Sequence, residues 1–243
     1  MTNENKNIII ATGGTGGHIF PAVSLANYLN KIGFISSITT DKRGLKFIDE
    51  KIFKNVTLID SSPFYKKQKI ISILKILLSI FNSLIFIFRT KPKFIFGMGG
   101  YASFPICFAG VLLRIPFIIY ENNLLIGKTN RYLAPFAKKI FVSYEDIEGI
   151  NSKYKNKVVV TGNILRENIL KHSKTKENEI NENLNILVLG GSQAAKIFAE
   201  ILPEIFIELK NNNIDFKIYQ QCLEDQKKEL QIKYEKNNIS YEL

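Results

Sequence analysis

A short β-branched run, Ile8-Ile9-Ile10-Ala11, passes straight into Thr12-Gly13-Gly14-Thr15-Gly16-Gly17-His18, and Pro21 then opens a helical stretch to Leu29. No feature of the chain restricts its fold more than this one. A strand that ends in a glycine turn and continues as a helix is half of a crossover unit, and crossovers join parallel strands. Pro suits the first helical turn, where its fixed φ is pre-set and its missing N–H costs nothing. Further strands are expected at Ile35 to Thr39, Val56 to Ile59, Phe94 to Phe96, Phe117 to Tyr120, Ile140 to Ser143 and Val158 to Thr161, each bounded by Gly, Pro or Asn signals. Strands separated by helices predict an α/β fold with a mostly parallel sheet covered on both faces.

The opening pattern then starts again. A polar stretch from Glu167 to Asn183 reads as a frayed helix and linker. Leu184 to Leu189 is the next expected strand, Gly190-Gly191-Ser192 its turn, and Gln193 to Leu209 a helix containing Pro203. Phe216 to Tyr219 and Glu224 to Lys236 read as one more strand and one more helix. The restart predicts two Rossmann-like, doubly wound parallel-sheet domains in tandem. The N-terminal domain is expected over 1–165, and residues 166–243 hold the linker and an incomplete second domain. Two strands and two helices are too few for a covered sheet.

Composition narrows the chemistry. Two cysteines exclude a disulfide framework, and two histidines leave little for a metal centre, so no metal or other cofactor is expected. The charge of +11, from 33 Lys and Arg against 22 Asp and Glu, suits an anionic partner or a solvated lysine-rich face. A polar N-terminus ahead of a brief apolar run lacks a signal-peptide core. Ile70 to Phe88 is nearly continuous hydrocarbon, but Lys75, Ser79, Asn82 and Ser83 form a polar strip along it. That strip favours an amphipathic helix on the fold, touching an anionic membrane surface, over a bilayer span.

Three glycine-rich turns follow expected strands: Gly13 to Gly17, Gly97-Met98-Gly99-Gly100-Tyr101, and Gly190-Gly191-Ser192. Placed on one carboxyl edge of a parallel sheet, they would hold a phosphate-bearing ligand through backbone amides. A dinucleotide fingerprint fails at Ile19, although Asp41 follows the second strand and leaves a nicotinamide oxidoreductase in play. Gly127-Lys128-Thr129 resembles a Walker A loop, but Asn122 stands where the earlier glycine is required. Asp-x-Asp is missing from the sequence, so a transferase would have to stabilise its leaving diphosphate with backbone dipoles.

His18 is the candidate general base, because a helix start favours the neutral imidazole. Glu121 could orient His18 or take a substrate hydroxyl, and Asn123 could donate to a carbonyl or diphosphate. Both could equally cap the following helix. Arg166 could bind a diphosphate or brace the linker. Cys107, in an apolar helix, reads as core.

Taken together, Gly13 to Ala22, Gly97 to Pro105, Glu121-x-Asn123, Gly162-Asn163-x-x-Arg166 and Leu189-Gly190-Gly191-Ser192-Gln193-Ala194 resemble the MurG family, the N-acetylglucosaminyltransferases of peptidoglycan synthesis. The motifs occur in family order across essentially the whole chain. The resemblance implies an inverting, metal-independent glycosyltransferase of the two-domain GT-B type at the cytoplasmic face of the inner membrane. It would move GlcNAc from UDP-GlcNAc to the 4-hydroxyl of undecaprenyl-diphospho-muramoyl-pentapeptide, with no nucleic-acid partner. It further implies substrate contacts at Thr15, Gly16, Gly17, Asn123, Arg166 and Ser192, and His18 as base. It assigns the acceptor diphosphate to Gly99, Gly100 and Tyr101, and bilayer contact to the segment around residues 66 to 91. Tyr120 and Asn122 replace the family's usual His and Gln, and Phe104 and Ala195 stand where glycine is common. The chain stops at Leu243, where the family's uracil, ribose and donor-sugar contacts would begin, so weak donor binding and low turnover are expected. The alternative is a non-catalytic acceptor-binding membrane module that needs a separate donor-binding subunit.

Overall fold

The computed structural model describes residues 5–48, 53, 55–59, 69–172 and 184–243, without the side chains at 69, 172 and 192–195. The chain divides into two compact units, Met1–Lys174 and Thr175–Leu243. Part of the polar stretch 167–183 and the basic run 66–68 lie outside the described residues.

The first unit is built on seven parallel strands: β1 Asn7–Ala11, β2 Ile35–Thr40, β3 Val56–Leu58, β4 Phe94–Gly97, β5 Phe117–Glu121, β6 Lys139–Val142 and β7 Val158–Val160. Their order across the sheet is β3-β2-β1-β4-β5-β6-β7, with Ile9 paired to Ser37 on one side and to Ile95 on the other. The helices are α1 Gly16–Lys31, α2 Lys42–Leu45, α3 Lys69–Thr90, α4 Ser103–Leu112, α5 Lys128–Leu133 and α6 Glu167–His172. Successive strand residues face opposite sides. Ile8 and Ile10 therefore join Ile19, Ala22 and Ala26 of α1, while Ile9 and Ala11 join Ile106 and Cys107 of α4. Strand order reverses between β1 and β4, and ligands of open parallel sheets bind at such a reversal.

Three expectations change here. First, α1 starts at Gly16 behind an N-cap at Thr15, so Pro21 lies inside the helix. The glycines that read as loop supply its first turn. Second, the three glycine turns do not share a sheet edge. Two of them flank the β1/β4 reversal, and the third follows a strand of the second unit. Third, the polar strip of α3 is split. Ser79 and Ser83 are buried with Ser72 and Ile87, whereas Lys75 and Asn82 are exposed. Ser79 Oγ donates to the Lys75 carbonyl at 2.8 Å and Ser83 Oγ to the Ser79 carbonyl at 2.7 Å, so each hydroxyl is satisfied within its own helix. Once satisfied, these small side chains suit the protein-facing side, and the bulky residues Leu74, Leu77, Leu78, Phe81 and Phe88 face outward.

The second unit has three parallel strands in the order β10-β9-β8: β8 Leu184–Val188, β9 Phe216–Gln220 and β10 Ser240–Glu242. The third strand was not foreseen from the sequence. Its three residues follow Asn237-Asn238, a turn signal that could have marked it. Helices α7 Ser192–Asn211 and α8 Glu224–Lys236 enclose a core of Phe206, Phe216, Ile218, Leu230 and Tyr234. The buried Tyr234 hydroxyl donates to Gln220 Oε1 at 2.6 Å.

Candidate active site

The turns after β1 and β4 interlock at the reversal. A β-carbon on Gly100 would stand 2.5 Å from the Gly13 carbonyl oxygen, and one on Gly13 would stand 2.6 Å from Ala102 Cβ. Gly100 also holds a φ of 77°, in the left-handed region. Only glycine meets both demands at position 100.

Beside this junction a cavity of about 260 Å³ opens among His18, Gly99, Gly100, Tyr101, Glu121 and Asn123. Gly127, Lys128, Thr129 and Asn130 complete its wall. The structure thus brings six of the eleven sequence-predicted site residues into one cavity. The four others of its wall come from the segment set aside as a failed Walker A loop; its position after β5 was the signal that could have included it.

His18 is the third residue of α1, and its ring lies against Gly99, where an added β-carbon would be 3.1 Å from Nδ1. Nδ1 is buried with no hydrogen-bond partner among the described residues. Burial lowers the His18 pKa below 6.5, against the opposing pull of the Glu121 charge and the Met98 backbone, which approaches without a well-aligned bond to Nδ1. The imidazole is therefore neutral near pH 7, as a base requires. The main cause is desolvation rather than the helix start invoked from the sequence.

Glu121 is almost fully buried at the end of β5, and both its oxygens are engaged. Oε1 accepts from the Asn123 amide at 3.1 Å and from Asn123 Nδ2 at 2.8 Å. Oε2 accepts from the Gly127 amide at 2.8 Å and from Asn130 Nδ2 at 3.0 Å. Four donors on one buried carboxylate make it the organiser of the 122–130 loop. Its charge still reaches His18.

The remaining residues of the first unit lie outside the lining of this cavity. Thr15 is the N-cap of α1 and makes no side-chain capping bond, and Gly16 and Gly17 form the first turn, ahead of any intrahelical carbonyl partner. Arg166 stacks its guanidinium 4.7 Å from the centroid of Phe20, whose ring in turn covers Gly16. That stack holds the guanidinium by the first turn. Tyr120, where the resemblance led one to expect His, places its hydroxyl 3.0 Å from Ser143 Oγ and 3.3 Å from the Gly162 carbonyl oxygen, and accepts from the Ile164 amide at 3.1 Å. It ties the motif carrying Arg166 to the end of β5. Ser192 opens α7 in the second unit, and its side chain lies outside the described residues.

Asp41 does not serve as a ribose ligand. Its carboxylate caps α2 by accepting from the amides of Arg43 and Gly44, and Arg43 holds it at 2.6 Å. Burial opposes its charge, but the Arg43 guanidinium and the amides of Gly44 and Gly14 together keep it below the usual carboxylate range. With those partners in place the nicotinamide reading loses its acidic residue. Cys107 lies in the core, where burial pushes its thiol pKa far up.

Residues 8–142 match the glycosyltransferase family 28 N-terminal domain, and residues 185–243 match its C-terminal domain. The chain is 38% identical to the UDP-N-acetylglucosamine–N-acetylmuramyl-(pentapeptide) pyrophosphoryl-undecaprenol N-acetylglucosamine transferase of Rickettsia felis, over 98% of this chain and 68% of that protein. It is 37% identical to the enzyme of the same name from Rickettsia bellii, over 98% and 67%. Among solved structures, MurG of Acinetobacter baumannii superposes with a TM-score of 0.73 at 27% identity, covering 98% of this chain and 67% of that one. The chain thus spans about two-thirds of the length of these relatives.

Proposed function

We propose, from the premise that this chain belongs to glycosyltransferase family 28 and to its MurG members, that the cavity beside the β1/β4 reversal receives the lipid-linked acceptor. The reaction is transfer of GlcNAc from UDP-GlcNAc to the N-acetylmuramoyl residue of undecaprenyl-diphospho-muramoyl-pentapeptide. His18 is the base that removes the proton of the 4-hydroxyl as that oxygen attacks the anomeric carbon. Attack from the face opposite the nucleotide inverts the sugar, and UDP departs with the bonding electrons. Glu121, saturated by four donors, acts through its charge: it stabilises the imidazolium that forms on His18. The backbone of Gly99 and Gly100, with Tyr101 and Lys128, faces the acceptor diphosphate. Thr15, Gly16, Gly17, Asn123, Arg166 and Ser192 complete the substrate contacts.

The observation that carries this reading is a histidine with a buried Nδ1 lining a glycine-rich cavity at the strand-order reversal. Its test is transfer of labelled GlcNAc to a lipid-linked acceptor by the chain carrying His18→Ala. A loss of about a hundredfold or more is expected, and unchanged turnover removes His18 from the mechanism.

Helix α3 supplies the second half of the proposal. By length and composition, 70–90 could cross a bilayer, yet its serine side packs in the first unit. Its outward hydrocarbon, with Lys75 and Arg89 beside it, suits insertion into the headgroup boundary of an anionic membrane. The chain thus works as a peripheral enzyme on the cytoplasmic face, where its acceptor is anchored.

A further inference from the structure

Helix α1 carries a defect at its most sensitive turn. In a regular helix the Gly17 carbonyl would accept from the N–H of residue 21. That residue is Pro21, which has no N–H, and whose ring crowds the carbonyl four residues back. Gly17 immediately precedes His18, so the orphaned carbonyl belongs to the peptide that carries the proposed base. It is met from 105 residues away: Asn122 Nδ2 donates to the Gly17 oxygen at 3.0 Å.

The same amide has a second engagement. With Nδ2 committed to Gly17, Asn122 Oδ1 accepts from Asn123 Nδ2 at 3.3 Å, and Asn123 Nδ2 also donates to Glu121 Oε1 at 2.8 Å. A continuous relay therefore runs from the peptide before His18, through Asn122 and Asn123, to the buried carboxylate. One end is the helix turn that presents the imidazole. The other is the rim of β5, which presents Asn123 and the negative charge that acts on His18. Among the described residues, Glu121 and Lys128 are the charged side chains that line the cavity with His18.

We propose that Asn122 is a positioning residue, a clamp on the carbonyl that Pro21 leaves free, which holds the His18 turn at a fixed distance from the β5 rim. This rests on the reading of His18 as base and adds a residue to it. Asn122 touches no reacting atom. It acts by restricting how far the imidazole can drift from Glu121 and from an acceptor bound at Asn123. Pro21 and Asn122 are then two halves of one device: the proline frees an acceptor, and the amide uses it to cross-link two loops distant in sequence.

The two halves make a double-mutant test on the full chain. Asn122→Ala is expected to lower kcat for GlcNAc transfer about tenfold with little change in acceptor KM, and Asn122→Gln to recover most of it. Pro21→Ala returns an N–H to the Gly17 carbonyl, so Asn122→Ala in that background is expected to cost clearly less than on its own. The second readout needs no turnover. His18 and His172 are the only histidines, so the His18 imidazole can be followed by NMR, and in Asn122→Ala its titration midpoint should rise toward 6.5 as the turn opens to water. If Asn122→Ala leaves both kcat and the His18 signal as they were, the clamp is overturned and the transfer reading stands. If the His18 signal moves while His18→Ala keeps wild-type turnover, the clamp holds and the catalytic reading falls. Equal losses from Asn122→Ala with and without Pro21 would also overturn the proposal, because the carbonyl would then not be what the two residues share.

Discussion

Replacing Gly100 by alanine tests whether the interlocked turns set the geometry of the cavity, and Gly162 provides the control. Both glycines sit at positive φ, 77° and 73°. A β-carbon on Gly162 meets nothing within 4 Å, whereas one on Gly100 would lie 2.5 Å from the Gly13 carbonyl oxygen. Alanine in the left-handed region costs about 1–2 kcal/mol, offset by roughly 0.5–1 kcal/mol from the freedom glycine loses on folding. Gly162→Ala should therefore cost about 0.5–1 kcal/mol, or roughly 1–4 °C of melting temperature for a unit this size. Gly100→Ala carries the same backbone term plus a backbone contact that must open by several tenths of an ångström. Overpacking of that kind adds about 2–3 kcal/mol, for a total shift of roughly 5–16 °C. The displacement moves Gly99 and the ring packed on it, so transfer should fall by about a hundredfold or more in Gly100→Ala. Thermal unfolding followed by circular dichroism, with transfer assayed below the transition, measures both quantities. Equal melting shifts for the two variants would refute the steric argument, and a strongly destabilised Gly100→Ala with full activity would refute the link from the turns to the site.

Two further expectations follow from the same geometry. Because burial lowers the His18 pKa, its proton is bound less in the folded than in the unfolded chain. This group's contribution to stability is therefore complete above pH 6.5 and is lost as the pH falls from there through the folded value. The acidic limb of kcat/KM should lie below pH 6.5 and vanish in His18→Ala; an acidic limb above 6.5, or an NMR midpoint for His18 above that of a free imidazole, contradicts the desolvated site. On α3, Leu74→Glu with Leu78→Glu changes side chains that are 60% and 61% exposed, so melting should stay within about 2 °C. Binding to anionic phosphatidylglycerol vesicles in a sedimentation assay should weaken at least about tenfold, because hydrocarbon is replaced by charge of the membrane's own sign. Undiminished vesicle binding would move the membrane contact elsewhere on the molecule.

Much of this was legible because strand and glycine signals are local. Ile8 to Ala11 reads as a strand because it ends in a glycine turn that leads into a helix, whereas the strand order that puts a reversal beside that turn is not a local property. What stayed hidden depends on partners far away in the chain. Pro21 read as a helix start because prolines usually avoid interiors; the amide that compensates for it comes from Asn122. The serines of α3 read as one polar strip with Lys75 and Asn82 because a hydroxyl is counted as polar, whereas bonds to carbonyls four residues back let Ser79 and Ser83 sit in the interior. Asp41 read as a candidate ligand because sequence order does not reveal that Arg43 already holds it. Glu121 was visible as an acid at a strand end, but its burial and the four donors that occupy it depend on a loop whose path the residue types alone do not give.

The outward side of α3 also governs how the molecule behaves once taken from its native surroundings. Dissolved in plain buffer, the chain shows water a ridge of leucine and phenylalanine that finds its match in the same ridge on another copy. The surplus of eleven positive charges is what keeps such copies apart. Added salt mutes that repulsion and leaves the hydrocarbon attraction intact, so clouding and oligomer formation should grow with ionic strength, and a mild non-ionic detergent should reverse both by occupying the ridge.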